Sequence, residues 1–387
     1  MNDALYFPIH RAKAGEISGV GHLSPRTRTR IRPAFEVQKL RDGDDTPPEE
    51  HLSGVAHQLL EAWGNRYPLF ADFSQYGPED RTGDGTHCAE YFFRCLRQQS
   101  MLGIPMTGPE SVRGPGYGYI DAVAQIASED GRGAALRLPF EEFSAYDKAE
   151  HAINDSLQAL RLEPASVDLF LDFETLALLP ADSRTAQGMV SVLVDVLRQY
   201  GDSGFRNIVI CGSSVPERIS KEYDGSSLRV ERIEIDAWQL LVESYSKELV
   251  KFGDYGVIYP LEQDVSGSVR PPARIRLSTE REHVFWRAPR KDYVALSEKA
   301  VRNRDIDPDL AAWGAGVLRL CARYGRGKGG PTEWVARDTN LHIEVTVRAI
   351  ESFLRRAGRL SDVNFAEPES FPWDQTLIDT HSDHPSP

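Results

Sequence analysis

Glu36, Asp72 and Asp172 each close or follow a short apolar run, and Lys13, Arg137, Glu174, Ser213 and Ser214 stand at comparable places. Ionisable and hydroxyl groups brought together on one rim can bind a cation, work as acid and base, or hold an anion. In the chemical reading, Glu36, Asp72 and Asp172 form a carboxylate cluster with Lys13 and Arg137 as counter-charges. The competing reading is a set of ion pairs that only keeps the rim polar. Asp168, Asp172 and Glu174 are expected on one strand face, because alternate residues share a face. Asp168 comes early in its run, so Asp172 and Glu174 are the candidates. An Asp-x-Glu pair suits a divalent cation, but paired carboxylates after a strand also cap helices, and no metal site is assigned.

Gly212-Ser213-Ser214-Val215-Pro216 can present backbone N–H groups to an anion, or form an ordinary turn. It is not a G-x-S-x-G elbow, which argues against a serine hydrolase. The run from Gly325 to Gly330 lacks the order of a phosphate loop and follows a helical pattern, so it reads as a flexible turn. The ten histidines form no H-E-x-x-H or H-x-H pair, and His342, the most suggestive, reads as structural. Cys88, Cys95, Cys211 and Cys321 show no C-x-x-C spacing and are expected as reduced thiols, the first two on the buried face of a helix.

These residues need a scaffold, and the apolar runs supply it. Strands are expected at 6–10, 33–37, 68–73, 103–107, 134–138, 167–173, 207–211 and 256–260. Between them lie helical patterns at 52–63, 88–98, 118–129, 148–160, 185–200 and 236–252. Short apolar strands alternating with helices pair in parallel, because each crossover returns to the same end of the sheet. Eight such units in about 260 residues match a (β/α)8 TIM-barrel-like fold. An open doubly wound sheet is the competitor, but its glycine-rich first turn is missing: Lys13-Ala14-Gly15-Glu16 follows the first run. In a barrel, chemistry belongs at the C-terminal ends of the strands, where the candidates lie.

The expected division is a barrel over 1–262, a helical C-terminal extension over 263–361 and an acidic tail over 362–387. The extension carries two extended segments within 274–287 and helices at 307–324 and 344–357. An apolar content of 41% can fill a full core, and no apolar stretch is long enough to span a membrane. The first eleven residues carry Asp3, His10 and Arg11 and no apolar region of the kind a secretory leader has, so the expected location is cytoplasmic. The net charge of −13 argues against nucleic acid as the main partner. Two basic runs, Arg26, Arg28, Arg30, Arg32 and Arg323, Arg326, Lys328, read as solvated helix faces.

Tyr6-Phe7-Pro8-Ile9, Lys13, Gly15-Glu16 and Pro33-Ala34-Phe35-Glu36 together resemble the opening of the phage beta-protein family, with its Y-x-P-I, K-x-G-E and P-x-x-E elements. Gly212 to Pro216 resembles its serine-serine-x-proline element, with valine in place of phenylalanine. Phe252-Gly253-Asp254-Tyr255-Gly256 resembles its G-D-Y-G element, and Trp334, Asn340 and His342 resemble its C-terminal region, here with one histidine rather than a pair. The resemblance spans residues 6 to about 350 and implies family-motif positions at Glu16, Asp254, Tyr255, Trp334 and His342. It also implies a component of anti-phage defence, or an antitoxin-like protein that restrains a partner encoded nearby. The alternative is an enzyme or small-ligand sensor with a pocket for a phosphate-bearing ligand at the rim. The residues leave the catalytic groups and any cofactor open.

Overall fold

The computed structural model describes residues 4–41, 43–109, 120–200, 204–244, 250–261, 272–289, 291–325 and 329–360. Eight parallel strands form one sheet: β1 (Ile9–Arg11), β2 (Ala34–Glu36), β3 (Leu69–Asp72), β4 (Gly103–Thr107), β5 (Ala134–Pro139), β6 (Val167–Thr175), β7 (Asn207–Ser213) and, in the eighth place, β9 (Lys251–Asp254). A parallel bridge between Tyr6 and Phe252, with Phe7 N–H donating to the Phe252 carbonyl at 2.8 Å, joins the last strand to the first. The sheet is a (β/α)8 barrel.

Around it run α1 (Ala14–Gly21), α2 (Pro25–Arg30), α3 (Pro48–Trp63), α4 (Cys88–Gln98), α5 (Ile120–Asp130), α6 (Phe140–Phe143), α7 (Tyr146–Leu160), α8 (Ala186–Tyr200) and α9 (Ile233–Ser244). The barrel interior is a packed core of Phe7, Ile9, Phe70, Ile104, Met106, Phe170, Val209 and Cys211. Phe170 meets Phe70 edge-on at 5.4 Å and Phe7 at 6.0 Å. Rings of this size fill the centre of an eight-stranded barrel, so polar groups are displaced to its two ends. Among the described residues no helix is long and apolar enough to cross a membrane.

After β9 come the hairpin β10 (Ala273–Ser278) and β11 (Glu282–Ala288), then α10 (Tyr293–Arg302), α11 (Trp313–Tyr324) and α12 (Pro331–Arg356). The hairpin is extended by β8 (Ser227–Glu231), which leaves the chain between β7 and α9 and pairs antiparallel with β11. Helix α12 packs along α1, and its Phe353 ring lies 5.3 Å from Trp238 of α9. It takes the place of the barrel's eighth helix. Gly19 permits this approach, because a Cβ there would sit 2.6 Å from the Ala336 carbonyl oxygen.

Several sequence expectations are corrected. The eighth strand is 251–254 rather than 256–260, and the preceding helix is 233–244 rather than 236–252. The apolar residues 257–259 are buried, which explains the strand-like pattern, but the ladder to β7 uses Lys251 to Asp254. Gly253 lets β9 close in, since a Cβ there would meet Cys211 Sγ at 2.4 Å. β8 has no counterpart among the expected strands because only Leu228 and Val230 mark its apolar face.

Helix α12 starts thirteen residues before the expected 344, and α11 starts at 313 rather than 307. The first half of α12 buries Arg337, Asp338, Asn340 and His342, so no apolar stripe announces it. Arg28, Arg30 and Arg32 are not a solvated face. Arg28 donates to the carbonyls of Gly21, Ala62 and Trp63, buried Arg30 meets Glu351 at 3.0 Å, and Arg32 lies 5.7 Å from the rings of Phe7 and Phe70. The glycine-rich turn at 326–328, with Arg326 and Lys328, and the acidic tail lie outside the described residues.

Candidate functional site at the rim of the barrel

Arg137 comes from the fourth position of β5, where the pleat turns its side chain inward above the aromatic core. Its Nε donates to Asp172 Oδ2 at 2.6 Å, and one terminal nitrogen donates to both Glu36 Oε1 and Asp72 Oδ2 at 2.9 Å. The other terminal nitrogen donates to the Tyr255 hydroxyl, which itself donates to Asp172 Oδ2. Glu36 and Asp72 are the last residues of neighbouring parallel strands and lie opposite each other in register.

Arg137, Asp72 and Asp172 are buried, whereas the Glu36 side chain keeps 14% of its surface exposed. Burial opposes the charge on Arg137, but Tyr255, Asp172, Glu36 and Asp72 outweigh it and hold the guanidinium protonated. Burial raises Glu36 above the usual carboxylate range and Asp72 adds to this, with Arg137 pulling the other way. Three carboxyl groups thus share one cation. Among the described residues no group of three or more histidine, cysteine or acidic side chains is arranged to hold a metal.

The remaining candidates go elsewhere. Ser214 donates from both its backbone N–H (3.2 Å) and its hydroxyl (2.5 Å) to Glu234 Oε2, so a carboxylate of the protein occupies the anion position of this turn. The Ser213 hydroxyl accepts from Val215 N–H at 3.2 Å. Lys13 is the N-cap residue of α1, and Glu16 accepts from Arg11 N–H at 3.0 Å. Asp172 and Glu174 do not act from one face. The ladder to β7 slips between Asp172 and Thr175, and Glu174 has a φ of +51°, a bulge that breaks the alternation. Asp172 bonds Arg137, while Glu174 lines a cavity beside Phe140 and Phe173. Asp168 lies at the opposite end of the barrel, held by Arg206, Arg32 and Asn207.

A second polar centre lies beside the first, between the barrel and α12. His342 Nε2 is 3.0 Å from Asp254 Oδ2, and its Nδ1 is 2.7 Å from Ser278 Oγ, which is 3.0 Å from His283 Nδ1. Asp254 also accepts from the Tyr6 hydroxyl (2.5 Å), Arg232 (3.1 Å) and Gly256 N–H (3.0 Å). These contacts assign the proton on His342 to Nε2, so that Nδ1 accepts from Ser278. Burial pushes His342 down to about 4 against the pull of Asp254, leaving it neutral at pH 7. Burial also raises Asp254, but His342, Arg232 and Tyr6 overcome it and hold the carboxyl below its usual range.

Asp254 serves the second centre and its neighbour Tyr255 the first, so consecutive residues at the end of β9 tie the two together. Tyr6 was noted as part of the family-motif opening, whereas Arg232, Glu234, Ser278 and His283 were not singled out in the sequence. Ser278 and His283 fall within the extended segments expected at 274–287, and Arg232 and Glu234 fall between the expected elements; none of the four carried a mark of its polar partners. Trp334 stacks on Tyr293 at 4.5 Å and belongs to the packing of the extension.

Against known families, the sequence matches the one described as Beta protein over residues 6–348. The chain belongs to the Beta protein family. Both polar centres fall within the matched region of this Beta protein. No curated protein is similar to it in sequence. Among solved structures it is similar to an alanine racemase from Clostridium difficile 630 in complex with cycloserine, at 10% identity and a TM-score of 0.31. The match covers 72% of this chain, which spans 61% of the length of that one.

Proposed function

We propose that this Beta protein is a binding component of an anti-phage defence or toxin-neutralising module, whose acidic barrel rim recognises or restrains a partner protein. The family resemblance suggests the setting, and the rim suggests the mode. The observation that carries the reading is the internal pairing of the rim. Arg137 spends its donors on Asp172, Glu36, Asp72 and Tyr255, and Ser214 spends its own on Glu234. A catalyst needs a nucleophile or base within reach of a reacting atom; here those groups hold one another. What the rim offers outward is negative charge, through the partly exposed Glu36 and on a chain of net charge −13. Such a surface complements a basic partner and speeds encounter with it. A phosphate-bearing ligand at the same place would meet carboxylates whose cation is already committed.

The test is co-expression with the neighbouring gene products, followed by calorimetry of any complex formed by wild type and by Glu36→Gln. The expected result is a complex weakened by salt and at least about tenfold weaker in the variant. A complex indifferent to both changes would overturn the rim as the recognition face. Turnover of a small substrate, lost in Glu36→Gln with partner binding intact, would overturn the binding reading itself.

A further inference from the structure

At the C-terminal end of β6, outside the ring of strands, lies a half-open cavity of about 330 Å³. Its walls come from the last residues of β6 and from the segments that follow β5 and β6, the end of a barrel where ligands are bound. Phe140, Phe173 and Leu179 form an apolar floor, with the rings of Phe140 and Phe173 5.6 Å apart. Leu178 stands at the lip with 67% of its surface exposed, more than any other large apolar residue described. Exposure of that size on an isolated leucine is ordinary; beside an aromatic floor it extends the apolar surface outward.

Two further features give the cavity a polar side. Thr175 lines it and is buried to 2% exposure. Glu174 beside it adopts a left-handed backbone that a glutamate holds only at a cost. Its N–H is fixed by Asp172 Oδ1 at 2.9 Å, which ties the cavity wall to the Arg137 centre. The charged lining is Glu141, Glu174 and Lys148, one negative charge in excess.

From these observations we propose that the cavity is a binding site for a small amphipathic amine, separate from the rim face. Its apolar body lies on Phe140, Phe173 and Leu178, and its ammonium faces Glu174 and Glu141. The volume is near the lower end of the range for small-molecule pockets, which limits the ligand to about one ring and a short chain.

The test uses 2-phenylethylamine as the probe and 2-phenylacetate, of similar size and opposite charge, as its control. Binding to the full chain is followed by ligand-observed NMR at physiological salt. The amine is expected to bind and the carboxylate not. Leu178→Ala and Glu174→Gln are each expected to weaken the amine at least fivefold, with melting temperatures near that of wild type. Absence of binding, equal binding of the two probes, or amine binding indifferent to both variants would overturn the proposal. If Glu174→Gln folds poorly, Leu178→Ala still decides, because so exposed a side chain contributes little to the fold. None of these outcomes depends on a partner protein, so the rim reading stands or falls separately.

Discussion

Replacing Arg137 by methionine removes one cation from among three carboxyl groups while keeping much of the side-chain volume. Asp72 and Asp172 are each about 1% exposed, and both lose a direct charged hydrogen bond. Glu36, at 14% exposure, can recover some hydration. Breaking a buried pair by removing one partner costs about 3–5 kcal/mol, because the remaining charge is left uncompensated. Two buried carboxylates are stranded here, so Arg137→Met is expected to lose at least that much at pH 7. Glu36, already raised by burial and by Asp72, also loses the opposing pull of Arg137, so the folded variant holds a proton there more tightly than the unfolded chain does. Stability of the variant should therefore rise as pH falls from 7 towards 5, narrowing the gap to wild type.

Urea denaturation of both proteins at pH 7 and pH 5 measures this directly. Adding Asp72→Asn to Arg137→Met should recover part of the loss, since one stranded charge disappears. A loss below about 1 kcal/mol at pH 7 would refute the reasoning, because pairs worth so little are those exposed to solvent. A gap that stays constant between the two pH values would refute it equally.

Burial raises Asp338 to about 8 despite Arg276 and Arg337, so its carboxyl binds a proton far more tightly in the folded chain than in the unfolded one. Its contribution is fully present below its ordinary value of 3.8 and is lost as pH rises to about 8, with a slope up to about 1.4 kcal/mol per pH unit. Asp338→Asn should abolish that slope and be the more stable protein above pH 8, as followed by urea midpoints; an unchanged slope would exclude an ionisable Asp338 as its source. His342 has the opposite sense. Its folded value, about 4, lies below its ordinary 6.5, so its contribution is present above 6.5 and lost as pH falls towards 4. His342→Gln should lose about 2–4 kcal/mol at pH 7, by breaking the contacts to Asp254 and Ser278, and should denature with a shallower pH dependence between 6.5 and 4. An acid transition identical to that of wild type would refute that assignment.

The alternation of short apolar runs with helical patterns was enough to predict an eight-fold parallel barrel, because a strand buried on both faces must be apolar throughout. It also placed Glu36, Asp72 and Asp172 at strand ends, and the β5 pleat then brought Arg137 among them. Composition and periodicity reach this far because they report burial. They did not reach the second centre: the family resemblance marked Tyr6, Asp254 and His342, but that Arg232, Ser278 and His283 join them was set only by the fold. A buried polar residue satisfied by a distant partner looks, in sequence, like an exposed one. For the same reason α12 was legible only from residue 344, although its polar first half is as buried as its second. Local pattern missed two further features: the bulge that parts Glu174 from Asp172, and the capture of the Ser214 donors by Glu234. Sequence alone thus determined the barrel and the carboxyl groups at its mouth. Tertiary structure decided which charges meet, because hydrogen bonds between distant segments are set by packing rather than by spacing along the chain.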